Sequence, residues 1–286
     1  HALVVGVPGL AKTWLSSTIA RTLSLDFSRI QFTPDLMPSD ITGTEVIEEN
    51  RATGHRELRF VLGPIFASVV LADEINRTPP KTQAALLEAM QERQVTIGGV
   101  RHDLPKPFFV LATQNPIVQE GTYPLPEAQL VRFMFLIRFA YPTLEEEAQI
   151  VKRASEKASV QLSTVLTAED MDRVSAMVEH HPVTDHVVAY ALRLVRSTRI
   201  SEPMDGHGER PELVREYLAW GAGPRASEYL ILAARAKALL SGDPITTAEH
   251  VKAVAQPVLR HRILTNFNAE ADRITTDAIV ENLLEH

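Results

Sequence analysis

The chain has 286 residues, enough for about two domains, and its 45% hydrophobic and 23% charged residues suit a globular protein with a buried core. Lys and Arg total 29 against 36 Asp and Glu, a net charge of −7 that argues against a protein coating nucleic acid or an anionic membrane. The absence of cysteine excludes disulfides, thiolate metal sites and cysteine nucleophiles. No apolar run approaches the roughly 18–20 residues of a membrane span, and the first residues lack the charged lead-in of a signal peptide. A reducing, cytoplasmic setting is expected. The chain opens at His1 and is inside an apolar run by Leu3, so an upstream segment is expected to be missing. Leu284-Glu285-His286 resembles the scar of a histidine tag and is set aside from fold reasoning.

In chain order, Ala2–Val5 reads as a buried strand, Lys12–Leu23 as a helix and Ile30–Phe32 as a weak strand. Thr44–Phe60 is polar with a turn near Asn50–Gly54, a candidate hairpin. Val69–Ala72 is a strongly buried strand. Thr78–Arg93 is a helix with Thr78 as expected N-cap and Pro79-Pro80 in its first turn, where proline is tolerated. Gln94–Leu104 carries Gly98-Gly99 between apolar flanks, a two-residue hairpin signal. Phe108–Ala112 and Phe133–Phe139 are further strands. Strands alternating with helices predict a mostly parallel α/β sheet. After Tyr141-Pro142 strand signals fade. Thr143…Glu146, Thr167…Asp170 and Thr246…Glu249 fit capping boxes, and His186–Arg196 and Ser227–Leu240 carry helical apolar spacing. The polar stretch Ser201–Arg210 reads as a loop. The expected domains are 1–141 and 142–283.

The chemistry is concentrated in the first half. Gly6-Val7-Pro8-Gly9-Leu10-Ala11-Lys12-Thr13 follows the first strand and opens the first helix, close to the phosphate-binding pattern G-x-x-x-x-G-K-[ST], with Ala11 in place of the second glycine. Glycines let several N–H groups turn toward phosphate oxygens, and the helix N-terminus adds positive potential. Lys12 would reach the β- and γ-phosphates and Thr13 would ligate Mg²⁺. Trp14 follows this loop and is carried with it as a nucleotide-side residue, although it and Trp220 read more naturally as packing residues. Val69-Val70-Leu71-Ala72-Asp73-Glu74 is an apolar strand ending in two carboxylates. In phosphate-loop hydrolases an acid there holds Mg²⁺, so Asp73 takes that role and Glu74 that of general base toward water. Leu111-Ala112-Thr113-Gln114-Asn115-Pro116 ends a strand in polar residues, where Asn115 could orient the lytic water or touch the γ-phosphate. Arg77, just after the acids, is placed for an ion pair with them or with a neighbouring protomer. The ten histidines form no HExxH pattern, and no G-x-S-x-G elbow is present.

Together these motifs resemble an AAA+ ATPase, and specifically the MoxR family. Gly6–Thr13 is similar to that family's phosphate loop, including Ala11, and Leu71–Arg77 (LADEINR) resembles its Walker B segment. Ala112–Pro116 (ATQNP) resembles its sensor 1, Glu120–Phe133 (EGTYPLPEAQLVRF) its arginine-finger segment, and Gly221–Ser227 (GAGPRAS) its sensor 2 segment. The resemblance implies an αβα sandwich around a parallel sheet followed by an all-α lid. It implies ATP, ADP and Mg²⁺ as ligands, and a homo-oligomeric ring, usually a hexamer, with nucleotide between protomers. Arg132 would be the finger reaching a neighbour's γ-phosphate, and Arg225 the sensor 2 arginine reaching nucleotide from the lid. The insert at Thr44–Phe60 and the hairpin at Gln94–Leu104 would face the ring's pore or partner side. A partner carrying a von Willebrand factor A domain is implied as well. The chain departs from the family at Val131, where aspartate is usual, and at Gly223, where serine is usual. The upstream segment that contacts adenine in the family is absent from this sequence.

These readings favour an ATP-driven remodeller or chaperone. A nucleic-acid motor would want basic inserted hairpins, and Gln94–Leu104 has only Arg101 and His102, while Thr44–Phe60 balances Arg51, Arg56 and Arg59 with four glutamates. A nucleotide-binding switch with little turnover is the other alternative, kept by Val131 and opposed by the intact Lys12, Asp73, Glu74 and Asn115.

Overall fold

The computed structural model describes residues 1–7, 9–49, 56–116, 121–155, 161–202 and 209–286, with the side chains of 153–155 outside the description. Pro8, the expected turn at Asn50–Gly54, the start of the finger segment at Glu120 and much of the loop expected over Ser201–Arg210 lie outside the described residues. The chain forms two compact units, His1–Leu125 with Ile137–Asp172, and Pro126–Leu136 with Arg173–His286.

The first unit is built on a five-stranded sheet of β1 (Ala2–Gly6), β2 (Phe27–Gln31), β5 (Val69–Asp73), β8 (Phe109–Gln114) and β9 (Phe135–Phe139, in this unit from Ile137), in the order β2-β5-β8-β1-β9. The pairs β2–β5, β5–β8 and β1–β8 are parallel, with Ala72 level with Ala112 and Gln31 level with Asp73. Strands flanked on both sides are apolar until their last residues: Val69 to Ala72 are all buried, and β5 ends in Asp73. Between the strands come α1 (Lys12–Thr22), α2 (Pro38–Thr42) and α3 (Pro80–Glu92). α1 packs on β5 and β2. α3 buries Leu86, Leu87, Ala89 and Met90, the apolar stripe of a helix laid against a core. Both expected hairpins form: β3 (Gly43–Glu49) with β4 (Arg56–Leu62), and β6 (Gln94–Ile97) with β7 (Val100–Asp103). The second closes through Gly98 and Gly99, both at positive φ, because a turn matching strand twist needs left-handed residues. α5 (Leu144–Ser155) completes the unit, its capping box formed by Thr143 N–H donating to Glu146 at 2.8 Å and Glu146 N–H to the Thr143 hydroxyl at 3.3 Å.

The second unit is mainly helical: α4 (Glu127–Leu130), α7 (Asp185–Ser197), α8 (Glu212–Tyr217), α9 (Pro224–Ser241), α10 (Ala248–Leu259), α11 (Phe267–Ala271), α12 (Thr276–Glu285) and most of α6 (Ala168–His180), with a short ribbon of β10 (Leu218–Trp220) and β11 (Leu264–Thr265). α9 starts with Pro224 at its first turn and stops at Gly242 in the left-handed region. Its buried face, Ala226, Leu230, Ala233, Ala234 and Ala238, is mostly alanine, which lets α10 and α7 approach closely. α12 runs through Glu285, and Leu284 packs against the helical core.

Three local expectations are corrected. The N-cap of α3 is Pro79, not Thr78; the Thr78 hydroxyl instead donates to the Thr33 carbonyl at 2.6 Å in a buried position. The N-cap of α10 is Thr247 rather than Thr246, whose N–H is drawn to the Pro182 carbonyl at 2.9 Å in a bridge beside Val183. Trp14 and Trp220 are not packing residues: they are 63% and 69% exposed.

Candidate nucleotide site

The site forms where β1, β5 and β8 end together at their C-terminal edge, the usual place for ligands on an open parallel sheet. Gly9 to Thr13, Asp73, Glu74 and Asn115 line one cleft of about 380 Å³. The two loop glycines act for different reasons. Gly9 sits at φ 87°, a conformation that glycine adopts without strain. Gly6 lies against β9, where an added Cβ would stand 2.8 Å from the Cβ of Phe139. Ala11 caps α1 at φ 53° and ψ 25°, in the left-handed region. Alanine here is therefore more than a small-for-small exchange, since it carries backbone strain that glycine would not.

Lys12 Nζ donates to the Gly6 carbonyl at 2.7 Å and the Val7 carbonyl at 3.3 Å, so the loop grips its own lysine. Burial lowers the Lys12 pKa, opposed by the negative charges of Asp73 and Glu74.

The two acids are tied together by a residue that sequence reading did not single out. The buried Thr113, on β8 beside β5, donates its hydroxyl to Asp73 Oδ1 at 2.6 Å and accepts the Glu74 N–H at 2.8 Å. Glu74 is itself left-handed, at φ 58°, and opens a 3₁₀ turn over Ile75–Arg77. Its carboxylate takes Arg77 Nε at 3.1 Å and Gln31 Nε2 at 3.2 Å, so Arg77 has the local ion pair expected as one of its options. Arg29, also missed, lines the cleft and donates to Asp73 Oδ2 from Nη2 at 2.6 Å and Nε at 3.2 Å. The buried Gln83 amide reaches the carbonyls of Ile75, Thr78 and Tyr123 at 3.1, 3.1 and 2.9 Å, and Asn76 reaches that of Asn115 at 3.3 Å. Thr113 lies inside the ATQNP segment without a role of its own, while Arg29 and Gln31 are marked only as polar residues alternating on β2.

Arg132 and Arg225 belong to the second unit. The segment carrying Arg132 is held by its carbonyls: Arg262 donates to Val131 at 3.2 Å, Phe133 at 2.5 Å and Met134 at 3.2 Å, His261 Nε2 meets Phe133 O at 3.0 Å, and the Tyr229 hydroxyl donates to Arg132 O at 3.3 Å. Arg262 is buried under the Tyr229 ring, 5.0 Å from its centroid, and burial lowers its pKa to about 10. Arg225 lies in the first turn of α9 and Trp220 at the end of β10.

Residues 1–135 match the "ATPase family associated with various cellular activities (AAA)", and residues 210–283 match the AAA lid domain. The chain is 44% identical over 285 residues to Chaperone MoxR1 of Mycobacterium tuberculosis, an alignment that takes in 100% of this chain and 73% of that protein. The chain belongs to the MoxR family of AAA+ ATPases. It is also 39% identical over 285 residues to the uncharacterized protein YeaC of Bacillus subtilis, covering 99% of this chain and 83% of YeaC. A crystal structure from Cytophaga hutchinsonii, provisionally described as an ATPase, matches with a TM-score of 0.87 and 42% identity, over 100% of this chain and 84% of that one. The AAA ATPase family implies nucleotide binding, and the fold is the expected αβα module with a helical lid. Among the described residues, no helix is long and apolar enough to cross a membrane.

Proposed function

We propose that this MoxR-family protein hydrolyses ATP to ADP and phosphate with Mg²⁺, as a ring-forming cytoplasmic chaperone or remodeller of a partner protein. The observation that carries the reading is the Thr113 bridge, which fixes Asp73 and the backbone of Glu74 beside Lys12 in one cleft. The donor set suits magnesium: a carboxylate and a hydroxyl are hard oxygen ligands, and the cleft also offers Lys12 for phosphate. Thr13 and Asp73 would hold the ion, which neutralises phosphate charge when bound. The Gly6–Thr13 loop, with Val7 and Leu10, cradles the phosphates, and Trp14, exposed on α1, lies on the nucleotide side. Glu74 takes a proton from water, with its pairing to Arg77 and Gln31 holding the carboxylate in place. Asn115 contacts the γ-phosphate or the attacking water. Arg225 closes the lid on nucleotide, and Arg132 completes a neighbour's site, worth roughly 10³–10⁵ in rate where such fingers have been measured.

Relatedness to a protein named a chaperone supports the remodelling role, and AAA+ ATPases are typically oligomeric. A von Willebrand factor A domain protein is the proposed partner. The experiment is steady-state phosphate release against protein concentration, with Lys12→Ala, Glu74→Gln and Arg132→Ala alongside. Specific activity is expected to rise with concentration and to be lost in all three variants, while Glu74→Gln still binds a fluorescent ATP analogue. Normal turnover in Glu74→Gln would remove it from its role, and full activity in Arg132→Ala would do the same for the shared site.

A further inference from the structure

The Asp73 carboxylate is already occupied on both oxygens. Oδ1 accepts the Thr113 hydroxyl, and Oδ2 accepts two N–H groups of Arg29. Both N–H groups converge on that single oxygen, which is the one nearest the guanidinium charge. The Asp73 side chain is only 13% exposed, so there is little room for a further ligand beside it. Arg29, by contrast, is 47% exposed, stands on β2 at the end of the sheet order, and lines the cleft, so it can swing away without unpacking a core. A divalent ion and a guanidinium sharing Oδ2 would sit within about 5 Å of each other with like charge. Thr113 raises no such conflict, because it is neutral and binds the other oxygen.

We infer that Arg29 is a built-in counter-cation of the metal site, which excludes a divalent ion from Asp73 Oδ2 until the ion displaces it into the cleft. The inference rests on the reading of Asp73 as a magnesium ligand. Arg29 is thus a positioning residue that sets how tightly metal is taken up. Its second partner extends the effect: Nη2 also donates to Gln31 Oε1 at 2.6 Å, and Gln31 Nε2 donates to Glu74 at 3.2 Å. Departure of Arg29 therefore releases the Oε1 end of Gln31, whose Nε2 end holds the proposed general base.

The test is Mn²⁺ binding to the full chain, read by the loss of the free-ion electron paramagnetic resonance signal, with and without saturating ADP. Wild type, Arg29→Ala, Arg29→Lys and Asp73→Ala are compared, and thermal unfolding checks that each is folded. Arg29→Ala is expected to bind Mn²⁺ about tenfold more tightly than wild type, since an opposing charge at the ligand is gone. Arg29→Lys falls between, as a point charge with a looser grip, and stands in if Arg29→Ala does not fold. Asp73→Ala is expected to lose binding. A merely structural Arg29, needed to orient Asp73, would make Arg29→Ala weaker, and that result or an unchanged affinity overturns the inference while leaving the magnesium reading intact. Binding of wild type that Asp73→Ala does not alter would overturn the magnesium reading itself, and this inference with it.

Discussion

Thr113 shows how much one hydroxyl can organise. Replaced by valine, it would leave the Glu74 N–H without its partner and Asp73 Oδ1 without its donor in a half-buried site. A buried donor left unsatisfied costs about 1–3 kcal/mol. Thr113→Val is therefore expected to lower ATP turnover by about 10–100-fold with a much smaller change in nucleotide affinity, measured as kcat against the Kd of a fluorescent ATP analogue. Ala11 carries the opposite kind of message. Its left-handed backbone costs about 1–2 kcal/mol, partly offset by the lower chain entropy of alanine in the unfolded state. Ala11→Gly is expected to raise stability by about 0.5–1 kcal/mol in urea unfolding, with phosphate binding retained.

Elements were more legible than their ends. The strands β1, β5 and β8 are plain in the sequence because central parallel strands carry a continuous apolar run, broken in β5 and β8 only at the C-terminal end where the polar site residues stand, and Gly98-Gly99 marks its hairpin because only a few residues tolerate that turn. Helix caps were read less well, since a cap competes with tertiary partners for the same hydroxyl or N–H. At α10 the register moved by one, and the partner became His250, a residue outside the usual capping-box pattern. Thr247 N–H donates to His250 Nδ1 at 3.0 Å, which leaves the proton of the neutral ring on Nε2, facing Asp243 at 2.9 Å. His250→Ala is expected to cost about 1–2 kcal/mol through loss of this cap, while Thr246→Ser, which keeps the backbone bond to Pro182, costs less. Chemical unfolding of both variants checks the difference.

At the scale of the whole chain, its second unit carries buried charge chemistry with a consequence for pH. Burial, the Arg262 guanidinium and, more weakly, Arg260 push the His261 pKa down to about 3, against the bond to Phe133 that raises it. An unfolded histidine titrates near 6.5. Above that pH neither state binds the proton, and the native contribution is whole. As pH falls from 6.5 toward 3 the unfolded chain takes up a proton that the folded chain refuses, so stability declines, by about 2 kcal/mol at pH 5. Thermal unfolding at pH 7.5 and pH 5 is expected to show this acid loss, and His261→Gln should show less of it. Because folded His261 stays neutral over this range, its bond to the Phe133 carbonyl beside Arg132 is expected to persist in the folded chain while global stability falls.

The glycine-rich turn between β1 and α1, the acids at the end of β5, the hairpins and the change to helices were legible in the sequence, because each depends on local spacing or on residues adjacent in the chain. Only the tertiary structure decided that Thr113 and Arg29 share Asp73, that Arg262 grips the Arg132 segment, and that the two tryptophans are exposed. Those facts follow from strand order and helix packing, which bring together residues 40 or more positions apart, 44 between Arg29 and Asp73 and 129 between Arg262 and Phe133. No local pattern records such a pairing, since a parallel sheet sets its neighbours by topology and not by distance along the chain.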